Sequence, residues 1–282
     1  MNPNELLLTA LALRFEKYIS QRKHCKTQFS EEAVHDLRVA TRRQLAMVEV
    51  LRTIEPTPRL KKLRKDFKDQ LDSLDTLRDT QVMLVEISES LDNLPELIPL
   101  QKFLQKREKR LLRSAEKDVL GFRTRDTSRR IEKISSDLAT SDDNSITLTS
   151  LLSALDDAYS TATQRMGHVD PVNPATIHHV RIAFKKFRYM LEILYPLIPD
   201  IPATQVKAMH DYQAKMGGVQ DVEVLLATLT EFLDKHPSYD PKPVREYYEQ
   251  RHKELINAYV EDMNELFTFW RETPEKPFSW EK

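Results

Sequence analysis

The sequence predicts an all-α protein built from two similar halves, and three observations carry that prediction. Only 4 glycines occur in 282 residues and long stretches lack proline, so little interrupts a helix. Apolar residues recur at intervals of three and four, and no segment alternates as a half-buried strand would. The stretch VHDLRVATRRQLAMVEVL, Val34 to Leu51, returns as IHHVRIAFKKFRYMLEIL, Ile177 to Leu194, which marks internal repetition.

At an offset of 143 positions His35 pairs with His178, Arg38 with Arg181, Arg42 with Lys185, Arg43 with Lys186, Met47 with Met190 and Glu49 with Glu192. A second block sets LDTLRDTQVMLVEI against MGGVQDVEVLLATL, pairing Asp79 with Asp221 and Leu84 with Leu226. A weaker third block, LQKREKRLLRSA against YEQRHKELINAY, pairs Arg107 with Arg251 and Lys109 with Lys253. Three blocks in the same order describe a duplication, with a first repeat over 1–140 and a second over 145–282.

Each half reads as four helices: 4–24, 31–54, 58–91 and 97–137, then 146–167, 174–196, 202–235 and 241–271. Ser30 before EEAVHDL is an N-cap with acidic residues in the first turn, and Asn173-Pro174 offers a cap and a first-turn proline to the matching helix. SDDNS at 141–145 is the expected seam, HVDPVNP, YPLIPDIP and HPSYDPKP are turns, and the tail ETPEKPFSWEK is expected along the surface.

Composition limits the function. A 40% hydrophobic content supplies one large or two small cores. The opening MNPNELLLTALAL has no basic leader and no apolar run reaches membrane-spanning length, which argues against secretion and insertion. A single cysteine, Cys25, fits a reducing cytoplasmic compartment. The 43 Lys plus Arg nearly balance 44 Asp plus Glu, so no overall field attracts polyanions. The charges are segregated, however: RKHCK, RLKKLRKDFK and QKREKRLLR are basic, whereas DSLDTLRD and VEISESLD are acidic. This pattern points to a local anion site.

On a helical wheel of about 100° per residue, His35, Arg38, Arg42 and position 45 form one narrow stripe, and His178, Arg181, Lys185 and Arg188 form its counterpart. Val34, Leu37 and Val48 border the first stripe on one side, and Val39, Ala46 and Val50 on the other. A solvated face would be broadly polar. A narrow basic stripe between apolar residues instead lines a groove, and unpaired cations there are costly without an anion.

These residues carry a resemblance to a known family. The pattern His-x-x-Arg-Val-x-x-Arg-Arg, followed by an Arg-Asp-x-x-hydrophobic stretch and repeated in a second half, resembles the CHAD domains, whose name refers to conserved histidines in an α-helical domain. The resemblance implies two four-helix bundles related by pseudo-twofold symmetry around a basic central cavity or pore. It further implies binding of inorganic polyphosphate, association with polyphosphate granules, and no chemistry by the domain itself. The expected phosphate-binding residues in the first half are His35, Arg38, Arg42, Arg43, Lys61, Lys65, Lys68 and Arg107. In the second half they are His178, Arg181, Lys185, Lys186, Arg188, Lys207, His210 and Arg251. Asp79 and Asp221 are expected to orient Arg38 and Arg181. One departure from the family pattern is RRQL, which leaves Leu45 where the second copy has Arg188. No triphosphatase-like catalytic domain is present.

Guanidinium forks and lysine point charges, spaced about 5–6 Å along a helix, suit a repeating phosphate chain. Blander readings accompany several residues. His35 and His178 also fit helix-packing histidines, Glu49 and Glu192 partly neutralise the stripe, and Lys102, Lys106, Lys109 and Arg113 read as solvated surface. Arg107 falls on the wheel among Leu100, Leu104 and Leu111, so it and Arg251 are expected in the cavity. Enzymatic readings lack support: there is no HxxxH or HExxH spacing for a metal, no serine or cysteine nucleophile signature and no glycine-rich phosphate loop. The sequence therefore predicts a non-enzyme with no cofactor, no metal and no membrane partner. A single-stranded nucleic-acid or general polyanion binder is the rival, weakened by neutral charge and by the lack of aromatics interleaved with the cations. A helical adaptor is a third reading and leaves the repeated cations unexplained.

Overall fold

The computed structural model describes residues 2–140, 146–198 and 201–281. The described residues hold nine α-helices, a few 3₁₀ turns and a lone bridge between Asp170 and Asn173, so the fold is all-α. The expected seam at 141–145 and the centre of the YPLIPDIP turn at 199–200 lie outside the described residues.

Helix starts follow local chemistry. α1, Pro3–Thr27, opens on a reciprocal cap in which the Asn2 side chain accepts from the Asn4 N–H at 2.9 Å and Glu5 accepts from the Asn2 N–H. α2, Glu31–Ile54, begins where Ser30 was expected to cap it, with Oγ accepting from the Ala33 N–H at 3.1 Å. α3, Pro58–Ser90, is capped by Thr57 and carries its proline at the first position. α6, Leu148–Met166, starts at Thr147 with a reciprocal Ser150 cap. The cap expected at Asn173 is not made. α7, Ala175–Leu194, follows a turn in which the Thr176 hydroxyl donates to the Asn173 carbonyl at 2.7 Å and accepts from the Asp170 N–H at 3.0 Å.

The segment expected as one helix at 97–137 is two: α4, Ile98–Gly121, and α5, Thr124–Thr140. Phe122 leaves helical space at ψ 115° and turns into the core, and Arg22 of α1 captures its carbonyl. α5 can then lay Thr127, Ile131, Ile134 and Leu138 against α1 and α3, and ion pairs Arg130–Asp66 and Arg59–Asp137, each 2.6 Å, hold it there. The second half has α8, Ala203–Lys235, and α9, Lys242–Asp262, after which the helix expected to 271 tightens into a 3₁₀ segment, Met263–Thr268. Tyr212 and Tyr159 donate to the Met263 and Leu266 carbonyls, each at 3.0 Å, which fixes that change of direction. The tail is exposed in its charged residues, as expected, but it is not loose: Phe278 and Trp280 stack on each other beside buried Trp270, and Arg271 holds Asp156 at 2.6 Å.

α3 and α8 are each 33 residues long, about 50 Å at helical rise, and pack against each other. Two apolar cores use them. The larger joins α1, α2 and α5 to α6 and α7, with Tyr18, Phe67, Phe184, Phe187, Tyr212 and Trp270 fully buried. The smaller joins Ile87, Leu100 and Leu104 to Leu225, Phe232 and Tyr248. Both cores cross from one half to the other, so neither half buries its apolar surface alone.

Candidate anion-binding site

α2 and α7 pack together in the centre of the molecule, with α3 and α8 flanking them. That packing brings the two basic stripes into mutual range. Burial is the main cause that lowers the pKa values of Arg38, Arg181 and Lys185, and like-charge repulsion from Arg42 lowers all three further, so four cations from two helices share one field. For Lys185, burial is the larger cause; together with Arg42 and Arg181 it lowers the pKa to about 7.

The anchoring of these cations differs. The Arg38 side chain is 7% exposed and bonds to Asp75 at 2.7 Å and to the Leu71 carbonyl at 3.2 Å. Its expected partner Asp79 lies one turn further along α3 and acts only at longer range, because Asp75, not Asp79, is level with Arg38 where the helices cross. Among the described residues Arg181 has no ion pair; Asp221 attracts it without bonding to it, and its Nε is buried without a hydrogen-bond partner. A Cβ at Gly217 of α8 would sit 3.9 Å from that Nε, an ordinary contact distance, so the guanidinium lies against α8 at that point. Arg188 is fully engaged: it donates to Gln213 at 3.0 Å and to Glu192, it meets His210 Nε2 at 2.7 Å, and its guanidinium lies over the Tyr189 ring.

Asp79 and Asp221 touch solvent, yet burial by surrounding protein raises both pKa values, and Asp75 and Asp221 raise that of Asp79 further. Asp79 and Asp221 set the electrostatics of the cluster and do not clamp its arginines, as had been expected. His178 is half-buried; burial first, then Arg181, lowers its pKa, and its Nδ1 has no partner. His35 is exposed at the start of the α2 stripe.

Other expected residues lie elsewhere. Lys61, Lys65, Lys68 and Lys207 project into solvent, the last three beside Asp69, Asp72 and Asp211 one turn on. Lys186 is also exposed. Arg107 and Arg251, expected as cavity cations, instead bind carboxylates of the opposite half. Arg107 meets Glu231 and Arg251 meets Glu86, each at 2.7 Å, because the wheel face they share with leucines packs against the other half's long helix. Leu45 packs against the larger core. The sequence reading missed Arg14 and Lys17 of α1, which line a cavity of about 270 Å³ with Arg43; they do not stand out on a helix that carries five Lys and Arg residues and two Glu.

Comparison with known proteins follows this geometry. A family model for the CHAD domain matches residues 9–230, which contain both stripes. Among solved structures, the crystal structure of the CHAD domain from the plant Ricinus communis is 18% identical, with a TM-score of 0.68, and the match covers 94% of this chain and 89% of that one. PptA from Streptomyces chartreusis is 14% identical, with a TM-score of 0.67 over 100% of both chains. At these identities the structures show a shared fold. No curated protein sequence matches significantly. With the family model spanning most of its length and both histidine-arginine stripes inside that span, the chain belongs to the CHAD domain family.

Proposed function

We propose that the protein binds inorganic polyphosphate, without transforming it, at the cation cluster shared by α2 and α7. The observation that carries this reading is Arg181, whose Nε is buried without a partner, in a cluster where neither Arg42 nor Lys185 makes an ion pair. A buried donor left unmade costs about 1–3 kcal/mol, and a phosphate oxygen bound there removes that cost.

A repeating anion fits better than a single one because the cations come as ladders on two helices, so modest contacts add along one polymer. The near-neutral total charge gives no general attraction to polyanions, so binding depends on local cation clusters. Among the described residues no helix is long and apolar enough to cross a membrane; a cytoplasmic site of action, at polyphosphate granules where the host makes them, belongs to the same proposal. Titration with long-chain polyphosphate, single-stranded RNA and duplex DNA at matched phosphate concentration tests it. Polyphosphate should bind tightest, with affinity falling steeply as salt rises. Equal affinity for all three polymers would reduce the reading to general polyanion binding, and no binding of polyphosphate would overturn it.

A further inference from the structure

Arg42 and Arg43 are adjacent in sequence and so point about 100° apart on α2. Arg42 faces the cluster with Arg181 and Lys185, whereas Arg43 opens into a separate cavity with Arg14 and Lys17 of α1 and Tyr189 and Glu192 of α7. We infer that this cavity of about 270 Å³ is a second anion site, built for a short phosphate chain or a chain end rather than for the length of a polymer.

The charge pattern supports that assignment. Three cations line the cavity against one carboxylate, Glu192, and Glu192 already accepts from Arg188 and lies 3.5 Å from His210. Among the described residues Lys17 and Arg43 make no ion pair, and the one hydrogen bond of Arg14 goes back to the Ala10 carbonyl at 3.4 Å, a long and weak contact. Arg14 is half-buried, and desolvation, with Arg43 adding to it against the pull of Glu192, lowers its pKa. The half-buried guanidinium of Arg14, with exposed Arg43 and Lys17 lining the same cavity, matches the several oxygens of a terminal phosphate. The walls are the aliphatic side chains of Leu13, Ala40, Ala46 and Ile193, which present no stacking surface for a base beyond the single Tyr189 ring, itself covered by Arg188.

The inference rests on the polyphosphate reading for its ligand class but not for its location, and calorimetry separates the two. Triphosphate and long-chain polyphosphate are titrated into the full-length protein, an Arg14→Gln/Lys17→Gln variant and an Arg181→Gln variant. Triphosphate affinity should fall at least about tenfold in the first variant, since a lost charge-assisted contact is worth about a decade, and should hold in the second. Long-chain affinity should fall in the second variant and change little in the first if short chains occupy the site. A loss of both ligands in the first variant would identify the occupant as the polymer's end. Unchanged triphosphate binding in the Arg14→Gln/Lys17→Gln variant, or no triphosphate binding by the wild type, overturns the second site while leaving the polyphosphate reading intact. Triphosphate bound with no long-chain binding overturns that reading and leaves the site. Lys17→Gln alone changes an exposed side chain, so a reduced triphosphate affinity there is free of any folding defect.

Discussion

Arg64 on α3 donates to Glu49 on α2, and this contact between helices supplies what Arg188 supplies to Glu192 within α7 alone. Glu49 and Glu192 occupy matching positions in the repeat. Where the second half has Arg188 four residues before its glutamate, the first has Leu45, which packs against the core. Arg52, 2.8 Å from Glu49, completes the neutralisation. The missing cation at position 45 is thus no gap in a binding stripe; its partner is served from elsewhere.

A double-mutant cycle follows from this exchange. Leu45→Arg in the wild type should lower stability, because the new guanidinium enters an apolar contact and Glu49 is already held. In an Arg64→Leu background the same change should be milder, with a favourable coupling of about 1 kcal/mol. Urea unfolding of the four proteins gives the coupling, and additive energies would mean that the two arginines do not compete for Glu49.

Arg181 and Arg188, alike in the sequence pattern, should behave oppositely. Arg181→Ala removes a cation without an ion pair, so melting should stay near the wild type while polyphosphate affinity falls by about tenfold or more. Arg188→Ala breaks a bonded cation whose side chain is 4% exposed, and stability should drop by about 3 kcal/mol. Equal destabilisation by the two changes would show Arg181 to be a structural cation.

Lys185 makes the cluster pH-dependent. Its folded pKa of about 7 lies below the ordinary 10.5, so between those values the unfolded chain holds a proton that the folded chain has released. The contribution of this group to stability therefore rises with pH across that window, and the penalty of burying its charge is fully present below it. Arg42, Arg181, Asp75 and Arg188 are the charges that set this balance. Lys185→Met should melt higher than the wild type at pH 6, with the gap narrowing towards pH 10. Bound phosphate favours the charged form, so polyphosphate binding at pH 8 should take up a proton, read as buffer-dependent heat, and the variant should not. A constant gap in melting would show that Lys185 does not titrate in this range.

Much of the architecture was legible because helix chemistry is local. Ser30 could be read as a cap, and the ends of α2 at 31 and 54 match the expected ones, because side chain and backbone meet within one turn. The break between α4 and α5 was not legible: Phe122 leaves the helix for a core contact and a carbonyl bond to Arg22, a residue 100 positions away. The candidate site divides in the same way. The stripes on α2 and α7 were visible as periodicity, whereas Arg14 and Lys17 carried no pattern of their own and gained a role only from the cavity they share with Arg43.

The sequence by itself determined that the chain is helical, that it repeats, and that each repeat sets cations in a narrow stripe among apolar residues, since all three depend on spacing along one helix. Tertiary packing alone decided which of those cations are bonded and which are left with open donors. Arg38 takes Asp75 rather than Asp79, and Arg107 and Arg251 reach carboxylates of the opposite half. Among the described residues, Arg181 alone of the four stripe arginines Arg38, Arg42, Arg181 and Arg188 has a buried donor unused. The reason is geometric: a charge's partner is set by where two helices cross, to within a few ångströms, and no periodicity within either helix contains that distance.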